Sequence, residues 1–192
     1  MQALATLDAI ISPEWEYRYY SFNERWDAGE SMGSMRNGQG DDLFVLFNAA
    51  GAFIKGLDHE RFRAEGSARD IYALVPPAFS SGVGEPAFSP DHATFCCWRT
   101  FEADRWEWAS SQTSREGGDG SDWLLAGLDG NPETYLSFAR DYYEIEADAE
   151  AVRLVHQRAP ITSMLATRLN PEINFQALQQ DLVEIGYPIS ME

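Results

Sequence analysis

Asp41, Asp42, Asp58 and Glu60 flank one apolar stretch, MRNGQGDDLFVLFNAAGAFIKGLDHE (residues 35–60), and are the residues of this chain whose types and spacing best suit chemistry. Oxygen-rich side chains at the ends of neighbouring strands, with the His59 imidazole beside them, make the donor set of a divalent-cation site. Such a site suits a metal-dependent hydrolase. A carboxylate pair without metal suits a carbohydrate-acting enzyme instead, and six tryptophans offer stacking surfaces for sugars. Alternate residues of an extended chain share a face, so Asp58 and Glu60 can converge while His59 points away. The glycines of Asn37-Gly38-Gln39-Gly40 do not form a phosphate cradle. A P-loop needs a lysine and a hydroxyl after its glycines and a dinucleotide loop needs a helix, whereas here two carboxylates and a strand-like run follow. The simpler reading is a hairpin end kept soluble by its charges.

A second set lies in DYYEIEADAE, residues 141–150, where five carboxylates surround two tyrosines. Carboxylates flanking aromatic rings suit the capture of a basic patch on another protein, because charge speeds the encounter and the rings supply contact area. Asp141, Tyr142, Tyr143, Glu144, Glu146 and Asp148 are the candidate partner-binding residues. The plain alternative is a solvated helix end.

Nucleophilic catalysis has no signature here. Cys96 and Cys97 sit in an apolar, strand-like setting where thiols are usually inert, and no Gly-x-Ser-x-Gly occurs. His92 lies on the order of 13 Å from Cys96 along an extended chain, beyond hydrogen-bond reach. His156, in AVRLVHQRA, reads as a helix-surface or core histidine. No catalytic residue is assigned, no cofactor is expected, and a non-enzymatic role is favoured.

Composition sets the wider bounds. At 192 residues with 44% apolar content, the chain is long enough for one well-buried core without disulfides. Its only two cysteines are adjacent, so they cannot staple distant segments, and reduced thiols are expected. The first twenty residues carry no base before Arg18 and hold Asp8 within their apolar run, unlike a signal peptide, and no stretch reaches the ~18 apolar residues of a membrane span. A cytoplasmic location is therefore expected. The net charge of -17 comes from 31 acids against 14 bases. Such a field repels phosphate backbones and anionic lipid and attracts a basic protein, so nucleic-acid and membrane partners are not expected. Charge that merely keeps a protein dispersed is the ordinary alternative.

The elements follow from periodicity. Leu4, Leu7 and Ile10 recur at helical spacing up to Ser12-Pro13. Glu14 to Tyr19 alternates charge with aromatic, which predicts a strand burying Trp15, Tyr17 and Tyr19 on one face. Ser31–Arg36, Leu43–Phe47 and Ala52–Leu57 read as strands of a meander, reversed at Asn37-Gly38 and at Asn48-Ala49-Ala50-Gly51. Residues 76–92, rich in proline, read as a long surface loop. Residues 93–100 and 105–109 read as a second hairpin, with Trp106 and Trp108 at core spacing. Ser110–Ser121 has the composition of a mobile loop. Asn131-Pro132 and Asn170-Pro171 place a cap and a first-turn proline ahead of helical periods, shorter helices are expected over 151–158 and 163–169, and Gly186 stops the last helix.

An α+β fold results, with an antiparallel sheet, a meander of hairpins, in the N-terminal half packed with C-terminal helices. One domain over residues 1–192 is expected, mainly sheet over 1–110, a flexible loop over 111–121 and mainly helical over 122–192. The blocks YYSFN (19–23), MRNGQGDD (35–42), LFNAAGAFIKGLDHE (46–60) and NPETYLSFARDYYE (131–144) resemble a group of uncharacterised bacterial proteins. That resemblance implies a bacterial origin and adds nothing about catalysis. In size, acidity and aromatic content the chain is also similar to bacterial toxin-immunity proteins of the SUKH superfamily. This similarity implies a role in neutralising a basic toxin.

Overall fold

The computed structural model describes residues 1–63, 68–111 and 118–190. Residues 112–117, within the expected 111–121 loop, lie outside the described residues. The fold is α+β: a six-stranded antiparallel sheet of hairpins followed by helices. The strands are β1 (Tyr20–Asp27), β2 (Glu30–Arg36), β3 (Asp42–Asn48), β4 (Gly51–Leu57), β5 (Phe95–Thr100) and β6 (Glu107–Ser110), laid side by side in chain order. The helices are α1 (Gln2–Ile11), α2 (Ala68–Tyr72), α3 (Ser80–Gly84), α4 (Ser121–Leu124), α5 (Pro132–Tyr142), α6 (Ala149–His156), α7 (Ser163–Leu169) and α8 (Phe175–Ile185). Chain contacts define two compact units, one made of residues 1–24 and 126–192 and the other of residues 25–125.

In the unit of residues 25–125 the registers follow from the turns. Met32, Leu46, Phe53 and Trp98 stand opposite one another across successive strands, as do Phe44, Lys55 and Cys96, and directly opposed residues share a face. That face forms a core with Ile71 of α2, Phe79 and Phe88. The other face carries Leu43, Val45, Ile54, Phe95 and Cys97, all buried. Strand β3 is thus apolar on both sides, as its unbroken run of large residues requires. At Gly56 a Cβ atom would lie 2.2 Å from the ring of Phe95, so only glycine lets the ring lie across β4.

The segment 76–92 departs from expectation. It is not an irregular loop but a run of short helical turns, Pro77–Phe79, α3 and Pro86–Phe88, with Phe79 and Phe88 fully buried. Proline is tolerated at a helix start, where its missing N–H has no partner to lose, and the Glu85 carboxylate caps the last turn through the Ala87 N–H. Trp106, just before the edge strand β6, and Trp108, on it, both expected in the core, are half-exposed, although Trp108 stacks on Phe95 with ring centres 4.9 Å apart.

In the other unit α1 packs against α6, α7 and α8, and α5 packs on α6. The caps explain the helix starts: Asn131, Asp148, Thr162 and Asn174 each accept a backbone N–H of the first turn through the side chain. Helix α8 begins at Phe175, one turn later than Asn170-Pro171 suggests. Asn170 is in extended conformation at the end of α7 and accepts the Glu172 N–H in a local turn, so Asn174 becomes the cap. Gly186 ends α8 in the left-handed region, as expected.

The largest departure lies at Glu14–Tyr19. Trp15–Tyr17 forms a 3-10 turn, with Tyr17 N–H bonded to the Glu14 carbonyl and Arg18 N–H to that of Trp15, and β1 begins only at Tyr20. The guanidinium of Arg18 donates to the carbonyls of Ser12 and Pro13, folding the segment back on itself. Trp15 and Tyr17 consequently point outward, 55% and 61% exposed. Among the described residues no helix is long and apolar enough to cross a membrane.

Candidate functional site

The first sequence-derived set sits where β2 and β3 reverse and where β4 ends. Asn37 accepts the N–H groups of Gln39 and Asp41 on its side-chain oxygen and donates its amide to Asp41 Oδ2 at 2.6 Å, while Gly38 and Gly40 adopt positive φ. The loop is a turn whose side-chain amide positions a carboxylate. Asp41 then receives both the backbone N–H of His59 at 2.8 Å and the His59 Nδ1 at 2.7 Å. Burial pushes the Asp41 carboxyl up, but these His59 bonds and the Asn37 amide outweigh it and hold the group below the usual carboxylate range. The bond to Asp41 in turn raises His59. His59 therefore turns back toward Asp41, and with Asp41 ionised its proton sits on Nδ1 and its Nε2 is left for other partners.

Of the other three carboxylates, Asp42 and Asp58 have separate engagements. Asp42 Oδ1 accepts Lys55 Nζ at 2.7 Å. Lys55 is 1% exposed, and its ammonium lies 5.5 Å from the centre of the Phe44 ring. Burial moves both members of this pair toward their neutral forms, raising Asp42 and lowering Lys55, and their mutual attraction opposes it. Asp58 accepts Trp123 Nε1 at 3.1 Å and pairs with Arg61 at 2.9 Å, and its other oxygen accepts the N–H of Glu60. A Cβ on Gly120 would lie 2.4 Å from that of Asp58, so a glycine is what admits this close approach. Glu60 is exposed. Among the described residues no group of three or more His, Cys, Asp or Glu side chains is placed to hold a metal ion.

Cys96 and Cys97 are free and buried, and burial pushes both thiols up to about 12, so neither is a thiolate at neutral pH. Cys96 Sγ contacts the Ile71 carbonyl rather than a histidine.

The second set lies at the end of α5. Tyr143 sends its hydroxyl to Asp8 Oδ2 at 2.9 Å, Glu146 pairs with Arg140 at 2.7 Å, and Asp148 caps α6 and pairs with Arg168 at 2.9 Å. Three of the six candidates thus serve the fold. Asp141, Tyr142 and Glu144 remain at the surface. Tyr142 is 42% exposed, stacked on Phe138 and edge-on to Tyr19 with ring centres 4.9 Å apart.

That contact joins the end of α5 to Tyr19, two residues beyond the Trp15–Tyr17 turn. The joint is built on Asp8, a wholly buried carboxylate of α1. Asp8 Oδ2 accepts the backbone N–H groups of Tyr19 and Tyr20 at 3.0 and 2.6 Å and the Tyr143 hydroxyl, and Oδ1 accepts the Tyr135 hydroxyl at 2.7 Å. Desolvation raises its carboxyl to about 6, and the four hydrogen bonds limit the rise. Arg18, also buried, fixes the turn from the other side through Ser12, Pro13 and Asp181, the last at 2.8 Å. Glu14 and Glu16 adjoin Trp15 and Tyr17 in sequence, Asp141 and Glu144 lie within two residues of Tyr142, and none of these four acids forms an ion pair among the described residues. Sequence reasoning assigned Trp15 and Tyr17 to the core and gave Asp8 no role. An acid among Leu4, Leu7 and Ile11 on an apolar helix was the available signal for Asp8.

Comparison with known protein families, with characterised proteins and with solved structures returned no match for this chain.

Proposed function

We propose that this protein is a non-enzymatic, cytoplasmic binding module that captures a basic protein, in the manner of an immunity protein neutralising a toxin. The observation that carries this reading is the exposure of Trp15 and Tyr17, next in sequence to Glu14 and Glu16, and of Tyr142, next to Asp141, with none of these acids in an ion pair among the described residues. Large exposed rings supply the contact area that dominates protein interfaces, and the net charge of -17 draws a cationic partner and steers its approach. Trp15 and Tyr17 sit on a turn held by buried polar groups and Tyr142 on the last residue of a helix, so little ordering cost falls on binding. The test is capture on the immobilised protein from extract of the cells that make it, at low salt. A Trp15→Ala/Tyr17→Ala/Tyr142→Ala variant serves as control, and the captured protein is then purified. The reading expects a basic polypeptide that the control does not hold and whose affinity falls as salt rises. Finding no basic polypeptide that distinguishes the two columns sets the reading aside.

The Asp41–His59 bond favours a second reading, hydrolysis at the sheet end. There an imidazole oriented by a carboxylate would serve as general base, or as one ligand of a metal with Glu60. Elemental analysis after dialysis in metal-free buffer, paired with esterase and glycosidase assays of His59→Gln, tests it. Absence of both stoichiometric metal and any His59-dependent turnover removes it.

A further inference from the structure

We propose that the Glu14–Tyr17 turn and Tyr142 form an arginine-reading surface, taking guanidinium groups of the partner in preference to lysine ammonium groups. This deepens the binding reading above and rests on it.

In Glu14-Trp15-Glu16-Tyr17 acids and exposed rings alternate: Trp15 has a carboxylate on either side, and Tyr17 has Glu16 before it and the buried Arg18 after it. Arginine carries a planar, weakly hydrated cation that can lie against an aromatic face and still fork its N–H groups onto a neighbouring carboxylate. Lysine offers a compact, strongly hydrated charge with no plane to stack, so it gains from the acids and much less from the rings. A surface of acids alone would not separate the two cations. Here the rings and acids alternate along one short segment, and Tyr142, with Asp141 and Glu144 within two residues of it, packs edge-on against Tyr19, two residues beyond that segment, with ring centres 4.9 Å apart.

The construction beneath the surface points the same way. Burying a guanidinium is costly unless its donors are filled. Arg18 engages its Nε with the Ser12 carbonyl and its Nη2 with the Pro13 carbonyl and Asp181, and these bonds close the loop from which Trp15 and Tyr17 project. Asp8, also buried, holds the Tyr19 and Tyr20 N–H groups on the far side of the turn and the Tyr143 hydroxyl beside Tyr142. Two buried charges therefore position a few exposed side chains, an arrangement that a merely solvated loop does not need. The occupant follows from charge complementarity: a second copy, a nucleic acid or an anionic lipid would each bring like charge to this face.

The test is calorimetric titration at low salt with three capped peptides of one length, alternating glycine with arginine, with lysine or with citrulline. The expected result is that the arginine peptide binds about three- to tenfold tighter than the lysine peptide and the citrulline peptide does not bind. Trp15→Ala/Tyr17→Ala is expected to bring the arginine peptide down to the lysine value, whereas Glu14→Gln/Glu16→Gln weakens both peptides together. These side chains are exposed, and circular dichroism confirms that each variant keeps the parent fold. Equal binding of the two cationic peptides, or an arginine preference that survives loss of the rings, overturns the inference and leaves capture of a basic partner standing. Binding of neither peptide overturns it as well, and the extract experiment above then decides the broader reading by itself.

Discussion

Replacing Asp8 by asparagine isolates the energetic cost of the buried carboxylate under the proposed binding surface. Asparagine keeps the shape and one strong acceptor: its oxygen can take the Tyr19 and Tyr20 N–H groups and the Tyr143 hydroxyl, while its amide turns to the Tyr135 oxygen. What it removes is the charge. In the folded protein Asp8 is raised from 3.8 to about 6, so the native state holds its proton over a range where the unfolded chain has lost it. The stability this adds is fully present below pH 3.8 and is lost as pH rises through 6. A rise of that size corresponds to about 3 kcal/mol. Other carboxylates, such as Asp41 and Asp119, are lowered on folding and act in the opposite sense, weakening the protein as pH falls. They are common to both proteins and cancel in the difference. The assay is urea unfolding of wild type and Asp8→Asn at steps between pH 4 and pH 7.5, followed by circular dichroism. The stability of the variant relative to wild type is expected to increase by about 2.5 kcal/mol from pH 4 to pH 7.5, whatever the constant offset set by the fit of the amide. Parallel curves would refute the assignment of a raised carboxyl to Asp8.

Three further outcomes follow from buried polar groups and close approaches. Arg18→Ala leaves Asp181 and two loop carbonyls without their donor and is expected to cost about 3 kcal/mol, with faster amide exchange over residues 14–18 measured by mass spectrometry. Lys55→Met alone strands the Asp42 carboxylate in an apolar setting, so it is expected to be about 2–4 kcal/mol less stable by urea unfolding than the double variant Lys55→Met/Asp42→Leu. Gly56→Ala forces the Phe95 ring off β4 and is expected to lower stability by at least about 2 kcal/mol, with a change in the fluorescence of Trp108, which stacks on that ring.

The sheet was legible because its signals are local. The Leu43–Phe47 run, the turn residues after it and the return at Ala52–Leu57 each state a strand or a reversal within a few positions. Helix starts were legible where the cap lies next to its helix, as at Asn131, and were misplaced at Asn170, whose side chain serves a turn instead. The candidate surface was half legible. The exposed acids and Tyr142 could be read from the 141–150 run, but Trp15 and Tyr17 could not, since alternation of aromatic and charge predicts a strand equally well. What decides their outward pose is Arg18, whose guanidinium reaches back to Ser12 and Pro13 and across to Asp181, 163 residues away. Asp8 was illegible for the same reason, since its hydroxyl donors lie 127 and 135 residues along the chain. Periodicity reports which residues are buried, but it does not report which buried polar groups will meet.

Hydrogen–deuterium exchange of the free chain and of its complex with the captured basic partner tests the binding surface most directly. Slowed exchange over residues 13–19 and 141–145, growing weaker as salt is raised, is the result expected of this surface. Protection confined to residues 37–42 and 58–61 would place the contact at the Asp41–His59 end of the sheet and contradict it.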